Sequence, residues 1–591
     1  MGRLLYAVAA SAAACAPVLA EAAEPRATVQ GEVSGELKAT IQKVIGATDR
    51  PVENRFEARR RARAAAEDAI AVLRSEGYYG YRVEPDVGES DPPLPVVQIS
   101  PGPQFRLKSP ALSWVGASPD EDTISVANRA LTLVPDAPAR SVDILGAEGR
   151  VLAAIQKRGY ADAEAAPLDV LVDHSDTSVL ATYRIASGAL VRLGGLDIQA
   201  SGQTQTGFLR GLTPWTAGAV YNPDDVAELE RRLLDTGAYD AVTVALSPPG
   251  AISGDGYRPV VLSLAERKPR SIEGGASYST SEGAGVNVRW THYNRLARAD
   301  TIALFGQISD RDTRAGGDLS LPHWRRAQQT LRTGAAGYQV KTDAFDATGF
   351  GIHADVTRRY GKTSYATVGL STDYSRTQEI RLNTLTPLGR DLVTFVALSD
   401  LLLDRSTDPL DPKAGWRLSA RLEPTLIVGD TNLPYLRGVA QGTVYQSLDK
   451  GGETVVAARL RLGRIVNGVV DQVPASQRFY AGGGGSVRGF SYQAVGPRFP
   501  DGTPRGGVFL MESSLEVRRE LTSTWGFAVF ADAGAVGSGG PVDFRDLAIG
   551  AGFGVRYNLG FAPIRVDIAT PVTRRRGEPP FQIYVSIGQS F

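Results

Sequence analysis

Cysteine is all but missing from this chain of 591 residues: the only one is Cys15. It lies in an apolar, alanine-rich stretch, Leu4 to Leu19, that follows Arg3. That pattern reads as a secretory signal, with cleavage expected at Val18-Leu19-Ala20 or Ala20-Glu21-Ala22. A lipoprotein signal built on Cys15 is the alternative, although Ala12 is a poor residue three places before it. Cleavage as read leaves no thiol, which excludes a disulfide framework. Charge of one sign is also lacking, with 64 basic against 64 acidic residues. A nucleic-acid binder running on bulk electrostatics is thereby excluded. Histidine occurs four times, at His174, His292, His323 and His353, with no metal-ligand spacing. No later stretch offers ~18 consecutive apolar residues, so no transmembrane helix is expected. A secreted chain without one is soluble or a barrel, whose strands need only ~10 residues with alternate positions apolar. A catalytic constellation is lacking too. Ser486 sits in Gly484-Gly485-Ser486-Val487-Arg488, without the second glycine of a nucleophile elbow. The glycine run Gly482 to Gly485 has no Lys-Ser/Thr behind it and is not a phosphate loop. No cofactor box is present, and neither an enzyme nor a cofactor is expected.

What the sequence does contain is repetition. An amphipathic helix over Arg63 to Glu76, with Ala66, Ala69, Ile70 and Leu73 on one face, stops at Gly77 and gives way to strands over Tyr79 to Val87 and Pro95 to Ile99. A helix carrying Val151, Leu152 and Ile155 stops at Gly159, and strands run through Val172 and over Ser178 to Ile185. Asn222 and Pro223 open a third helix, which stops at Gly237 before strands over Ala241 to Leu246 and Pro259 to Leu264. The three stop glycines are 159 − 77 = 82 and 237 − 159 = 78 residues apart. That period suits small α+β domains of order β-α-α-β-β. Their first strands are expected at Ala27 to Val33, Gln104 to Leu112 and Leu190 to Ile198. Small mixed sandwiches of any kind fit the period alone. Such units leave sheet edges to which an extended peptide can add.

From Ile272 helical periodicity ends and alternating segments take over. In the last, Phe581, Ile583, Val585, Ile587 and Phe591 share one face, and Gln582, Tyr584, Ser586, Gly588 and Ser590 the other. This is the apolar-out, polar-in pattern of a lipid-embedded strand. Ile564, Val566 and Ile568 likewise alternate with Arg565 and Asp567, while Ile549 to Val555 alternate with Gly550, Gly552 and Gly554. Charges on the second face point to the lumen, because facing lipid costs up to ~2–4 kcal/mol. Residues 269–591 hold sixteen such strands, the last over 580–591. A soluble propeller would show a blade period of ~40–50 residues, and none is seen. Between strands eleven and twelve lies an aperiodic segment, roughly Ile465 to Gly507, that contains AGGGGSVRGF, Ala481 to Phe490. Loops of that length are usually functional or disordered.

Ser486 to Phe490 resembles the signature Val-Arg-Gly-Phe/Tyr loop of the Omp85 superfamily, outer-membrane assembly barrels of sixteen strands. The three repeats resemble that family's periplasmic POTRA domains. The resemblance implies a mainly β fold: a signal peptide at 1–22, POTRA domains at 23–103, 104–187 and 188–268, and a 16-stranded antiparallel transmembrane β-barrel at 269–591. It implies a loop lock made of Val487, Arg488, Gly489 and Phe490. Glu516 and Asp532 are its lumenal acidic partners, carried by Ser514-Leu515-Glu516 and Phe530-Ala531-Asp532-Ala533-Gly534, which resemble the two acidic wall motifs. It also implies a lateral seam between first and last strands, with Gly274, Gly275, Gly588 and Phe591 at it. The terminal Phe591 resembles the recognition end of outer-membrane barrels. Expected partners are unfolded outer-membrane protein clients and membrane lipid, with no nucleic acid. Three repeats most resemble the barrel subunit of the translocation and assembly module, which implies a TamB-like inner-membrane-anchored periplasmic partner. The central barrel assembly protein and the two-partner secretion transporters are alternatives within the family. A passive porin-like channel is the alternative of another class.

Overall fold

The computed structural model describes residues 24–591 except 49, 253, 255, 280–282, 362, 381–384, 450, 540–546, 561 and 575–577. The signal read over residues 1–22, with Cys15, lies outside the described residues. Two compact units result: Met1–Asp197, Pro214–Glu228 and Ala245–Val261 form one, and Ile198–Thr213, Leu229–Val244 and Leu262–Phe591 the other.

The three repeats share one topology. In each small sheet the last strand takes the central place. Pro95–Ser100 runs parallel to Thr28–Gln30 and antiparallel to Arg82–Val87. Ser178–Ala186 runs parallel to Ala111–Trp114 and antiparallel to Asp169–Asp173. Arg258–Glu266 lies between Leu193–Ser201 and Tyr239–Leu246. Two helices accompany each sheet: Gly35–Ile45 and Arg55–Ser75, Glu121–Leu131 and Ser141–Gln156, Thr206–Arg210 and Pro223–Leu234. Gly77, Gly159 and Gly237 all have positive φ, of 87°, 103° and 71°. They end their helices in the left-handed conformation that a β-carbon resists. The helix expected from Arg63 starts at Arg55, because the Asn54 side chain accepts the Glu57 N–H at 2.9 Å and caps it.

The C-terminal sheet has sixteen strands: β1 (Arg270–Ser279), β2 (Gly283–Tyr293), β3 (Thr301–Ser309), β4 (Asp312–Leu321), β5 (Gln329–Lys341), β6 (Phe345–Tyr360), β7 (Ser364–Ile380), β8 (Pro387–Asp404), β9 (Gly415–Gly429), β10 (Leu433–Ser447), β11 (Thr454–Val466), β12 (Phe509–Glu520), β13 (Trp525–Gly537), β14 (Ala548–Asn558), β15 (Pro563–Pro571) and β16 (Gln582–Ile587). Each is hydrogen-bonded to the next in sequence, and β1 and β16 approach each other, bringing the sheet round on itself. The ladder between β8 and β9 passes from Val396↔Thr425 to Ser399↔Leu422, skipping the position of Pro424, which has no N–H to donate.

Alternation sets the two faces. On β13, Trp525, Phe527 and Val529 are exposed while Ala528, Phe530 and Asp532 are buried. On β12, Leu515 is exposed between buried Ser514 and Glu516. Tyr360, Trp416, Trp525 and Tyr557 stand exposed at the rim where the chain enters β1, and the Trp525 and Tyr557 rings meet edge to face at 4.9 Å. An aromatic row at strand ends beneath an apolar outer band is the dress of a membrane barrel. Among the described residues no helix is long and apolar enough to cross a membrane.

Two predictions follow from these faces and caps. Val529→Arg places a cation on the outer band and is expected to lower the stability of the barrel in vesicles by about 2–4 kcal/mol, read from urea unfolding. An unchanged midpoint would exclude lipid contact there. Asp120 caps Glu121–Leu131, accepting from the Thr123 hydroxyl at 2.7 Å and its N–H at 2.9 Å. These bonds, the hydroxyl's first, hold the carboxyl down at about 2. Asp120→Ala should therefore cost the helix about 1 kcal/mol at neutral pH. The depressed carboxyl contributes fully above its ordinary value of ~3.9, so the difference between the proteins should close as pH falls towards 2. Hydrogen exchange of that helix in the full chain reads both.

Candidate functional site

The segment 467–508, between β11 and β12, folds inside the barrel. It is a nested hairpin: Phe479 and Gly507 exchange backbone bonds of 2.8 and 3.0 Å, and the Val495 N–H reaches the Ala481 carbonyl at 2.9 Å. Its buried Val473, Phe479, Ala481, Val487, Phe490 and Val495 pack against wall residues such as Leu392, Ile427, Tyr435, Leu510 and Val536. The loop therefore has its own apolar core, shared with the wall. At its tip Gly482, Gly483 and Gly489 have φ of 108°, 102° and 97°, turns that any L side chain would strain.

Those turns deliver Arg488 to the wall between β12 and β15. Its side chain is 2% exposed. Nε donates to Asp532 Oδ2 at 2.7 Å and Nη2 to Asp532 Oδ1 at 3.0 Å, a bidentate fork. Nη1 donates to Glu516 Oε2 at 2.8 Å and to Asp567 Oδ2 at 3.1 Å. The Arg488 backbone N–H adds a 3.0 Å bond to Asp532. The guanidinium lies 3.3 Å above the Phe530 ring centre. So Arg488, Glu516 and Asp532 come together, and a third carboxylate, Asp567 of β15, joins them.

The acidic side is not left in excess. Glu516 also accepts from Arg518 Nε at 2.8 Å and Arg556 Nη2 at 3.4 Å, and Asp567 from Arg556 Nη1 at 2.6 Å. Each buried charge faces an opposite one, and of the guanidinium nitrogens of Arg488, Arg518 and Arg556 only Arg518 Nη1 is buried without a hydrogen-bond partner among the described residues. Arg459 of β11 secures the tip from the other side, donating to the Gly485 carbonyl at 3.2 Å and the Ser486 carbonyl at 3.0 Å. The Ser486 hydroxyl donates to Glu512. Space for this comes from the inner face of β14. A β-carbon on Gly550 would collide with the Arg488 carbonyl oxygen, and one on Gly552 with the Phe530 ring.

The base of the loop has a second anchor. Arg390 of β8 donates to the Asp471 and Gln472 carbonyls at 3.1 and 3.0 Å. It is paired at 2.7 Å with buried Glu379 of β7, which also accepts the Ala475 N–H.

The expected seam residues divide. Gly274 and Gly275 lie on β1, but β16 ends at Ile587, so the strand read over 580–591 is shorter and Gly588 and Phe591 fall beyond it. Gly588 has φ of 86° and its N–H turns to the Pro563 carbonyl at 2.8 Å, which breaks the two-residue period. The outward placement of Phe591 is corrected accordingly. Its ring lies 5.4 and 5.5 Å from the Arg459 and Arg518 guanidinium carbons, packed on Tyr445, Val455 and Ala457 inside the barrel. Neighbouring Ser590 donates to Glu516 Oε2 at 2.8 Å.

Asp567, Arg556 and Tyr584 also belong to this site and escaped the sequence reading as members of it, and Phe530 entered that reading only as the first residue of the second wall motif. All four lie on inward positions of the alternation, but that pattern does not say which inward residues of separate strands meet. Tyr584 accepts the Gly489 N–H at 3.1 Å and donates to the Phe490 carbonyl at 3.3 Å.

A family model described as the Omp85 superfamily domain matches residues 294–591. Among solved structures, BamA from Haemophilus ducreyi lacking POTRA domains 1–3 superposes with a TM-score of 0.63 at 17% identity, over 82% of this chain and 100% of that one. CdiB from Acinetobacter baumannii gives a TM-score of 0.45 at 14% identity, over 82% of this chain and 90% of that one.

Arg488→Ala leaves three buried carboxylates without their central cation. It is expected to weaken docking of the loop by about 3–5 kcal/mol, the range for breaking one side of a buried pair. Limited proteolysis of the protein in liposomes should then cut within 479–491, which stays intact in the parent. Equal protection in both proteins would show that the ion pairs do not hold the loop.

Proposed function

The chain belongs to the Omp85 superfamily, and from that premise we propose that it is an outer-membrane assembly and translocation factor of the TamA type. Residues 1–22 are its signal peptide. Three periplasmic POTRA domains, at 23–103, 104–187 and 188–268, receive unfolded outer-membrane proteins, autotransporter-like chains among them. They also meet a TamB-like partner anchored in the inner membrane. The barrel, 269–591, inserts clients sideways into the bilayer through a seam between β1 and β16. The observation that carries this is the Arg488-locked loop within a barrel that has three β-α-α-β-β modules on the same chain. A passive pore needs neither a folded obstruction in its lumen nor such an arm.

The seam has a physical basis. β16 has six residues, where the next shortest barrel strands have nine. β1 carries Gly274 and Gly275 side by side, and glycine weakens a strand interior. The turn at Gly588 cuts the ladder short at the opposite edge. An edge opened there offers backbone donors and acceptors to an incoming strand. In lipid such groups are expensive to leave unpaired, so pairing with a client is downhill and needs no nucleotide. The Arg488 lock, with Glu516 and Asp532, keeps the loop seated while strands exchange.

The experiment joins the two edges. A cysteine in Arg270–Ser279 and another facing it in Gln582–Ile587, introduced into the full chain, form a disulfide across the seam on oxidation. Insertion of a client barrel into liposomes should then stop, and reduction should restore it. Insertion continuing unchanged under oxidising conditions would overturn the lateral route. Ion conductance rising with loop removal, without any client insertion, would favour the porin-like reading instead.

A further inference from the structure

We infer that Tyr584 is the positioning residue through which the docked loop holds the last strand in the wall, so that freeing Arg488 also loosens β16. This rests on the seam reading above and adds what keeps that seam shut.

β16 is held to β15 along six residue pairs, Ile564↔Ile587 to Ala569↔Gln582, fewer than join any other two consecutive strands of the sheet among the described residues. Its inward side chains make up the difference. Tyr584 is 3% exposed and packs with Phe530 and Ala569. A hydroxyl can donate and accept at once, and this one does both, bridging the backbone of Gly489 and Phe490, the two residues after Arg488. Its ring also fixes the shape of the loop tip. A β-carbon on Gly484 would stand 2.7 Å from Tyr584 Cδ1, so the glycine run is cut to the ring. Two residues back, Gln582 Nε2 reaches the Ser491 hydroxyl at 3.3 Å. Past the strand end, Ser590 donates to the Glu516 oxygen that accepts Arg488 Nη1.

The last strand is thus bonded to the loop tip at Gly489, Phe490 and Ser491, and the tail that follows it to the lock at Glu516. Undocking the tip removes the partners of Tyr584. Both backbone groups it serves are buried, so losing the bridge is not repaid by water. Loop docking and β16 anchoring form one cooperative unit rather than two.

The test uses the full chain in lipid nanodiscs and reads hydrogen exchange separately over 479–491 and over Gln582–Ile587. Tyr584→Phe keeps the ring and deletes the bridge; Arg488→Ala undocks the tip. Each should speed exchange in β16 on the order of tenfold, and the double variant should add nothing further, because both remove one coupled unit. A retained heat-dependent gel shift reports a folded barrel. If Tyr584→Phe does not fold, Ser590→Ala with Arg488→Ala carries the same comparison. Faster loop exchange in Arg488→Ala with β16 unchanged would overturn the inference, as would unchanged β16 exchange in folded Tyr584→Phe. Coupled exchange together with insertion that survives the seam disulfide would leave the inference standing and the lateral route overturned.

Discussion

A guanidinium cannot shed its charge, so a barrel that buries one must surround it. Arg488 is surrounded: Asp532 takes its fork, Glu516 and Asp567 take one terminal nitrogen, and Phe530 lies beneath the plane. The rest of the barrel interior is arranged around that requirement. Arg518 and Arg556 pair with Glu516 and Asp567 from the flanks, the β14 glycines clear the approach, and the loop glycines turn the chain sharply enough to present the side chain. Removing the cation alone leaves the costlier state, a cluster of desolvated carboxylates, which is why so much of the tip's docking is expected to hang on one residue.

Much of this could be read from residue order because a strand makes a simple promise: alternate residues share a face. That promise put the loop between the eleventh and twelfth strands, and the resemblance of two wall motifs pointed to Glu516 and Asp532. Alternation also put Asp567, Arg556 and Tyr584 on inward positions, but which inward residues meet across several strands depends on register and on the path of the loop, and neither is local. The promise failed where backbone geometry overrode it. At Gly588 a positive φ ended the period, and Phe591, read as facing outward, turned in beside Arg459 and Arg518. In the N-terminal part the stop glycines were plain, since few residues but glycine end a helix in that conformation. The start at Arg55 was hidden by the run Arg59-Arg60-Arg61, which blurs the apolar stripe although the cap at Asn54 is sound.

The loop is pinned at places far apart along its length and for different reasons. At the tip, charge does the holding; at the base, Arg390 and Glu379 hold the 471–478 segment by backbone carbonyls and one buried pair. Between them runs an apolar core shared with the wall. Because the base has anchors of its own, loss of the Arg488 contacts would free the tip without removing what holds 471–478. That division fits a part that must respond to the strand beside it without unblocking the lumen.

The interruption at Pro424 bears on how such a cylinder deforms. Counting round the ring, eight strands lie on either side between the β16–β1 junction and the β8–β9 ladder. The missing donor therefore sits diametrically across from the shortest strand. If the proposed seam parts, that gap is the place on the far side of the ring where two halves of eight strands can hinge against each other.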